Sequence, residues 1–233
     1  MTAPMSSPRD EAVHDAVHEA GGSAGDGSGF FRAGPKLTPE DRIRDFTRAQ
    51  VRAGLLDEDG VLREVTEAVA DERITADPAA MAVELVREER EQLAIDQQTW
   101  EVPTDHDRLV AAFDELAGSD VVVLQGVDDH WTAQAELRRR AAEGRPPLGV
   151  AWFTAPDVWH AVDHGMLELN VWHGDSANVA PGEPLLDLVV EVLGRHGLAA
   201  HFDEGRIEIS ASWHRRQALA SVAGRAPEQY APR

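Results

Sequence analysis

From Thr38 onward, apolar residues recur at intervals of about one helical turn, at Ile43, Phe46, Val51 and Leu55. Thr38 stands as an N-cap, Pro39 takes the first helical position, and Gly54 ends the helix. The turn Asp57-Glu-Asp-Gly60 leads into a second amphipathic stretch with Val61, Leu62, Val65 and Val69 on one face. Asp77-Pro78 opens a third helix, expected to run to about Gln98 with Met81, Leu85, Leu93 and Ile95. Residues 38–99 therefore predict a helical subdomain. The Asp57 turn lacks the sixth-position glycine and the closing ligand of a twelve-residue calcium loop, which leaves it a helix–helix turn.

After Trp100 the period alternates between helix and strand. Thr104-Asp-His-Asp107 has capping-box form ahead of a helix carrying Leu109, Val110, Phe113 and Leu116, punctuated by Gly118. Val121–Leu124 is a short β-branched run suited to a strand, Trp131–Ala142 reads as a helix, and Gly149–Phe153 as a second strand. A short helix is expected over Pro156–His164. Met166–Trp172 alternates with period two, placing Leu167, Leu169 and Val171 on one face and Glu168 and Asn170 on the other, the pattern of a strand covered on one side. Pro184–Arg195 carries an apolar stripe of Leu185, Leu188, Val189, Val192 and Leu193 and stops before Gly197. A hairpin closes the series, Leu198–Phe202 and Arg206–Trp213 around Asp203-Glu-Gly205, with Ile207, Ile209, Ala211 and Trp213 inward. The expected class is α+β: an N-terminal helical subdomain, then over 100–216 a mixed or antiparallel sheet of about five strands packed on helices.

The flanks read differently. Residues 1–37 join one short run around His14 and His18 to the Gly/Ser-rich stretch Gly21–Gly29 and read as a disordered tail; 217–233 reads as a flexible C-terminal tail. His14 and His18 have helical metal-ligand spacing, but a marginal helix near a terminus cannot preorganise a site.

Composition narrows the partners. With 233 residues and a formal net charge of −20, the chain can bury a sizeable core and repels phosphate backbones and anionic lipid. Neither nucleic acid nor a membrane is expected as a partner; a basic protein is the partner such a field would steer. The absence of cysteine excludes disulfides and thiolate chemistry and fits a reducing compartment. With no signal peptide and no spanning run read in the sequence, the expectation is a soluble, cytoplasmic protein.

All six tryptophans and eight of the ten histidines lie between residues 100 and 214. Two groups among them are candidates for contact with a ligand. His130 and Trp131 follow the first strand, and Trp172 and His173 end the third; loops at strand ends are common places for sites. Asp128 and Asp129, just before, are read as caps of the next helix. The second group is Asp157, His160 and His164, which share one side of the short helix opposite Val158, Trp159 and Val162. His-x-x-x-His at helical spacing lets two imidazoles reach one zinc, with a carboxylate as third ligand. The usual hydrolase motif has glutamate beside the first histidine; this chain has Ala161, so the motif supplies no general base. No cofactor is predicted beyond that zinc. The chain also lacks the signatures of serine hydrolases, phosphate-loop NTPases and dinucleotide-binding enzymes.

Trp100 with Thr104-Asp105, Asp107-Arg108-Leu109 and Ala112-Phe113, then Phe153-x-x-x-Asp157-x-x-x-Ala161-Val162-x-x-Gly165, Leu167-x-Leu169 and Trp213-x-Arg215-Arg216, resemble an uncharacterised actinobacterial family recorded as a domain of unknown function. The resemblance covers roughly residues 40–216 and implies a fold without an activity, cofactor or catalytic residue. Relatives of that kind often carry cysteines, one where this chain has His106 and others near Gln125–His130, so any thiol role is closed here. His160 and His164 are not part of the pattern. Two functions follow as expectations: a non-enzymatic acidic binding or regulatory module, sharing with immunity proteins an analogy of charge and size, or a metal-assisted enzyme built on the His160/His164 helix face.

Overall fold

The computed structural model describes residues 37–218; the tails read into the sequence, and His14 and His18 with them, lie outside those residues except for Leu37, Gln217 and Ala218. Within the described residues, seven helices and a five-stranded mixed sheet make up an α+β fold. The chain runs α1 (Pro39–Ala53), α2 (Glu58–Glu72), α3 (Pro78–Asp96), α4 (Asp105–Gly118), β1 (Val121–Val127), α5 (His130–Ala142), β2 (Gly149–Thr154), α6 (Ala155–His164), β3 (Met166–His173), α7 (Pro184–Arg195), β4 (Ala199–Asp203) and β5 (Arg206–Ser210). No described helix is long and apolar enough to cross a membrane.

The helix starts follow from local chemistry. Thr38 and Thr104 form capping boxes with Asp41 and Asp107, and Asp57 and Asp77 accept from Gly60 and Ala80 N–H groups. Helices α1 to α3 pack on each other around Ile43, Val51, Val61, Val65, Val69, Leu85, Val86 and Leu93. Arg52 of α1 crosses to Glu89 at 2.5 Å and Asp96 at 2.7 Å on α3, both pairs largely shielded from water. Ile95, expected inside, is 57% exposed. The buried stripe of α3 runs through Ala82, Leu85, Val86 and Leu93, and a residue two positions past Leu93 stands about 200° around the helix.

The sheet order is β1-β2-β3-β5-β4, parallel between β1 and β2 and antiparallel elsewhere. One face is buried along its length under α4, α6 and α7, with Phe113, Phe153, Leu167, Leu169, Val171, Val189, Leu193, Ile207 and Ile209 between the layers. Among the described residues the other face is covered only in part. Helix α5 packs on β1 and β2 over Val122, Ala133, Leu137, Val150 and Trp152, while Glu168 and Asn170 of β3, Arg206 and Glu208 of β5 and His201 of β4 keep contact with solvent. The strict alternation of β3 records this one-sided cover.

Two strand limits differ from the sequence pattern by more than one residue. Strand β1 continues to Val127 through a register shift after Leu124, where Gly126 takes φ +61° against the Leu55 side chain. Strand β5 stops at Ser210, three residues before Trp213, because its neighbour β3 begins at Met166, the partner of Ser210. The chain then leaves the sheet as an extended strap, with Ala211 N–H donating to Gly165 O (2.9 Å) and Ser212 N–H to Asp105 Oδ2 (3.1 Å).

That strap serves the helical part. The last carbonyls of a helix have no partner within it. Here the strap supplies them: Trp213 Nε1 donates to Ala53 O (3.1 Å), Gln217 Nε2 to Val51 O (2.7 Å), and Arg216 to Gln97 O and Trp100 O (both 3.0 Å). Gly54, at φ +59°, leaves room for the Gln217 amide, which would stand 2.8 Å from any Cβ there. His214 stacks on Trp100 with ring centres 4.5 Å apart.

Candidate binding surface

Asp129 sets the site by capping α5. Its Oδ1 accepts from the N–H groups of Trp131 (2.9 Å) and Thr132 (3.2 Å), which fixes His130 and Trp131 in the first turn. Their rings lie 4.5 Å apart, and the Trp131 indole remains 58% exposed. His130 also meets Trp172 edge-on at 6.4 Å, and Trp172 meets Trp152 edge-on at 5.2 Å. Four aromatic rings therefore run in series from solvent to the layer under α5, where Trp152 is 6% exposed.

Strand register explains the series. Trp172 pairs with Val150 across β2 and β3, so it sits diagonally from Trp152 on the same face of the sheet, within reach for large side chains. Edge-on contacts of this kind place positive ring edges against negative ring faces, adding about 0.5–1.5 kcal/mol each beyond burial. Among the described residues, Trp152 Nε1 and Gln134 Oε1, both in the α5 layer, have no hydrogen-bond partner. The alternation of β3 continues the aromatic face into Asn170 and Glu168. Glu168 stands opposite Glu208 of β5, a repulsive cross-strand pair relieved by Arg206 on Glu168 and by His201 on Glu208 at 3.3 Å. The surface thus combines an exposed indole, an imidazole and a partly neutralised carboxylate strip.

His173 is not part of it. One residue past Trp172, it turns to the opposite face, where its Nε2 lies 2.8 Å from Glu183 Oε2. That carboxylate also accepts from Ala180 N–H at 2.8 Å, and the two bonds hold Glu183 below the usual carboxylate range. His173 secures the loop before α7.

On α6, His160 and His164 are exposed, with ring centres 4.6 Å apart. Asp157 is occupied: its Oδ2 accepts from Thr154 N–H and Thr154 Oγ1–H, both at 2.7 Å. The sequence Thr154-Ala-Pro-Asp157 carries the same capping-box signal as Thr104-Asp-His-Asp107, which marks Asp157 as a cap. Asp163 forms an ion pair with Arg48 of α1. Among the described residues no group of three or more His, Cys, Asp or Glu side chains is placed to hold a metal ion.

Elsewhere a shallow hollow of about 460 Å³ opens between the start of α4 and the end of α7, lined by Pro103, Arg108, Arg195 and His196. Its basic groups already have partners, since Arg195 and His196 share Glu115 at 2.5 and 2.8 Å and Arg108 faces Asp105 at 3.4 Å. His106 is half-buried, edge-on against Trp213 at 4.8 Å. Burial, helped by the positive charge of Arg215, lowers its pKa to about 4, so it is a neutral packing group at neutral pH.

Residues 38–217 match a family described as a domain of unknown function, DUF6891. The chain belongs to that family. No curated protein matches it, and no solved structure does. Of the residues that carry the sequence resemblance, Thr104, Asp107 and Asp157 cap helices, Phe113, Phe153, Ala161, Leu167 and Leu169 fill the core of this DUF6891 chain, Gly165 takes φ +69°, and Trp213 and Arg216 tie down the strap. None of the four aromatic-series residues is among them, nor are His160 and His164.

Proposed function

We propose that the chain is a non-enzymatic binding or regulatory module, working in the cytoplasm, whose contact surface is the His130–Trp131–Trp172 corner and the adjoining strip of Asn170 and Glu168. Its partner is a basic protein. The observation that carries this reading is Trp131: a large indole left 58% exposed, braced by His130 and backed by Trp172 and Trp152. A rigid aromatic of this kind loses little conformational entropy on binding, and tryptophan and arginine dominate binding hot spots. An arginine of the partner would lie over the indole and reach the carboxylates, while the net charge of −20 speeds its approach. The same charge argues against nucleic acid.

The reading as a metal-assisted enzyme on the His160/His164 helix face has less support. Asp157 spends its carboxylate on Thr154, and Ala161 stands where a hydrolase of that motif carries its base. A photo-crosslinking residue in place of Ala135, exposed one turn after Trp131 on α5, tests the binding role in the host cell with the indole kept, the same residue in place of Val83 on α3 serving as control. Recovery of one basic protein from position 135 alone is expected. Equal recovery from both positions, or none from 135, would overturn the proposal.

A further inference from the structure

The imidazoles of His160 and His164 stand one turn apart at the C-terminal end of α6, and among the described residues neither has a hydrogen-bond or ionic partner of its own. From the spacing of these two rings we infer a second, independent site: a two-histidine site for a divalent late transition-metal ion, completed by water. The geometry can be checked against metal chemistry. With about 2.0–2.1 Å from nitrogen to metal and about 1.2 Å from nitrogen to ring centre, each ring centre stands about 3.2 Å from a shared ion. Ring centres 4.6 Å apart then subtend about 92° at that ion. Square-planar, tetragonal and octahedral ions ask for about 90°, whereas a tetrahedral ion would separate the centres by about 5.2 Å. The ring separation is therefore compatible with copper(II) and nickel(II) once a nitrogen of each ring turns to the shared ion, and with zinc after a slightly wider turn.

Three features of the surroundings favour a cation there. His164 is the last residue of α6, where the helix dipole presents its negative end. The negative field of the whole chain concentrates cations at its surface. Asp163 lies between the two histidines in sequence but is held away by Arg48, so both imidazoles meet solvent without a competing ion pair. Two protein ligands leave the remaining positions to water and, with no adjacent base, make this a binding site, separate from the aromatic corner on α5 and β3.

The test uses the full, untagged chain in a His14→Ala/His18→Ala background, which removes the other pair with this spacing. Titration calorimetry with copper(II) and nickel(II) is expected to give one site per chain, copper the tighter, and His160→Ala or His164→Ala to weaken it at least tenfold. Electron paramagnetic resonance of the copper form is expected to show two imidazole nitrogens. No uptake in the background chain, uptake unchanged by either alanine, or a one-nitrogen spectrum would overturn the site. Both side chains are exposed, so the variants fold, and circular dichroism confirms it.

Discussion

Trp213 Nε1 donates to the carbonyl of Ala53 across 160 positions of sequence, joining the last turn of α1 to the strap beyond β5. The indole is 3% exposed and packs edge-on against Phe153 and His106. It therefore fills the core of the sheet and caps a helix of the other core. Trp213→Phe is expected to cost about 1–2 kcal/mol by leaving a buried carbonyl unpaired, and Trp213→Ala about 3–5 kcal/mol by adding a cavity. Urea denaturation of both variants measures the difference.

His106 links stability to pH. Its pKa is about 4 in the folded chain and near the ordinary 6.5 when unfolded, so the unfolded state takes up the proton first. This contribution is fully present above about pH 6.5 and is lost as pH falls from there toward about 4. The unfolding free energy is expected to drop through that window, and His106→Phe to flatten the slope. Carboxylates such as Glu136, held at about 2 by Arg139 and Arg140, add their own loss only at lower pH.

Gly126 supports a prediction of another kind. At φ +61° it sits where an added Cβ would fall 2.8 Å from Leu55 Cδ2. Gly126→Ala is expected to destabilise by about 1–3 kcal/mol, from left-handed strain plus displacement of Leu55. Thermal unfolding reads this, and a companion Leu55→Ala change is expected to recover part of the loss.

Arg216 ties the strap to the end of α3 through two backbone carbonyls and lies 6.0 Å from the centre of the Trp100 ring. Arg216→Ala is expected to raise amide hydrogen exchange in the strap while leaving the sheet protected, because the bonds it removes are local.

Much of this architecture was legible in the sequence because it is local. Thr38, Asp57, Asp77 and Thr104 cap the helices their spacing announced, and the alternation of β3 foretold a face left open. What escaped depends on distant partners. That His130 meets Trp172 follows from the register of β2 and β3 and the landing point of α5, neither written in either segment. His173 sits beside Trp172 in sequence yet turns to Glu183, since neighbours on a strand face opposite sides. The end of β5 was set by where β3 begins, a fact of another strand. Asp157 is the exception: its capping signal is local, three residues from Thr154, whereas its grouping with the two histidines rests on helical spacing alone.

The aromatic corner is tested most directly by the affinity of the crosslinked basic partner for Trp131→Ala. Because Trp131 is exposed, its truncation is expected to leave the unfolding free energy within about 0.5 kcal/mol of the parent chain while weakening binding at least tenfold. A Trp131→Ala chain that holds the partner as tightly as the parent would contradict the assignment of this surface.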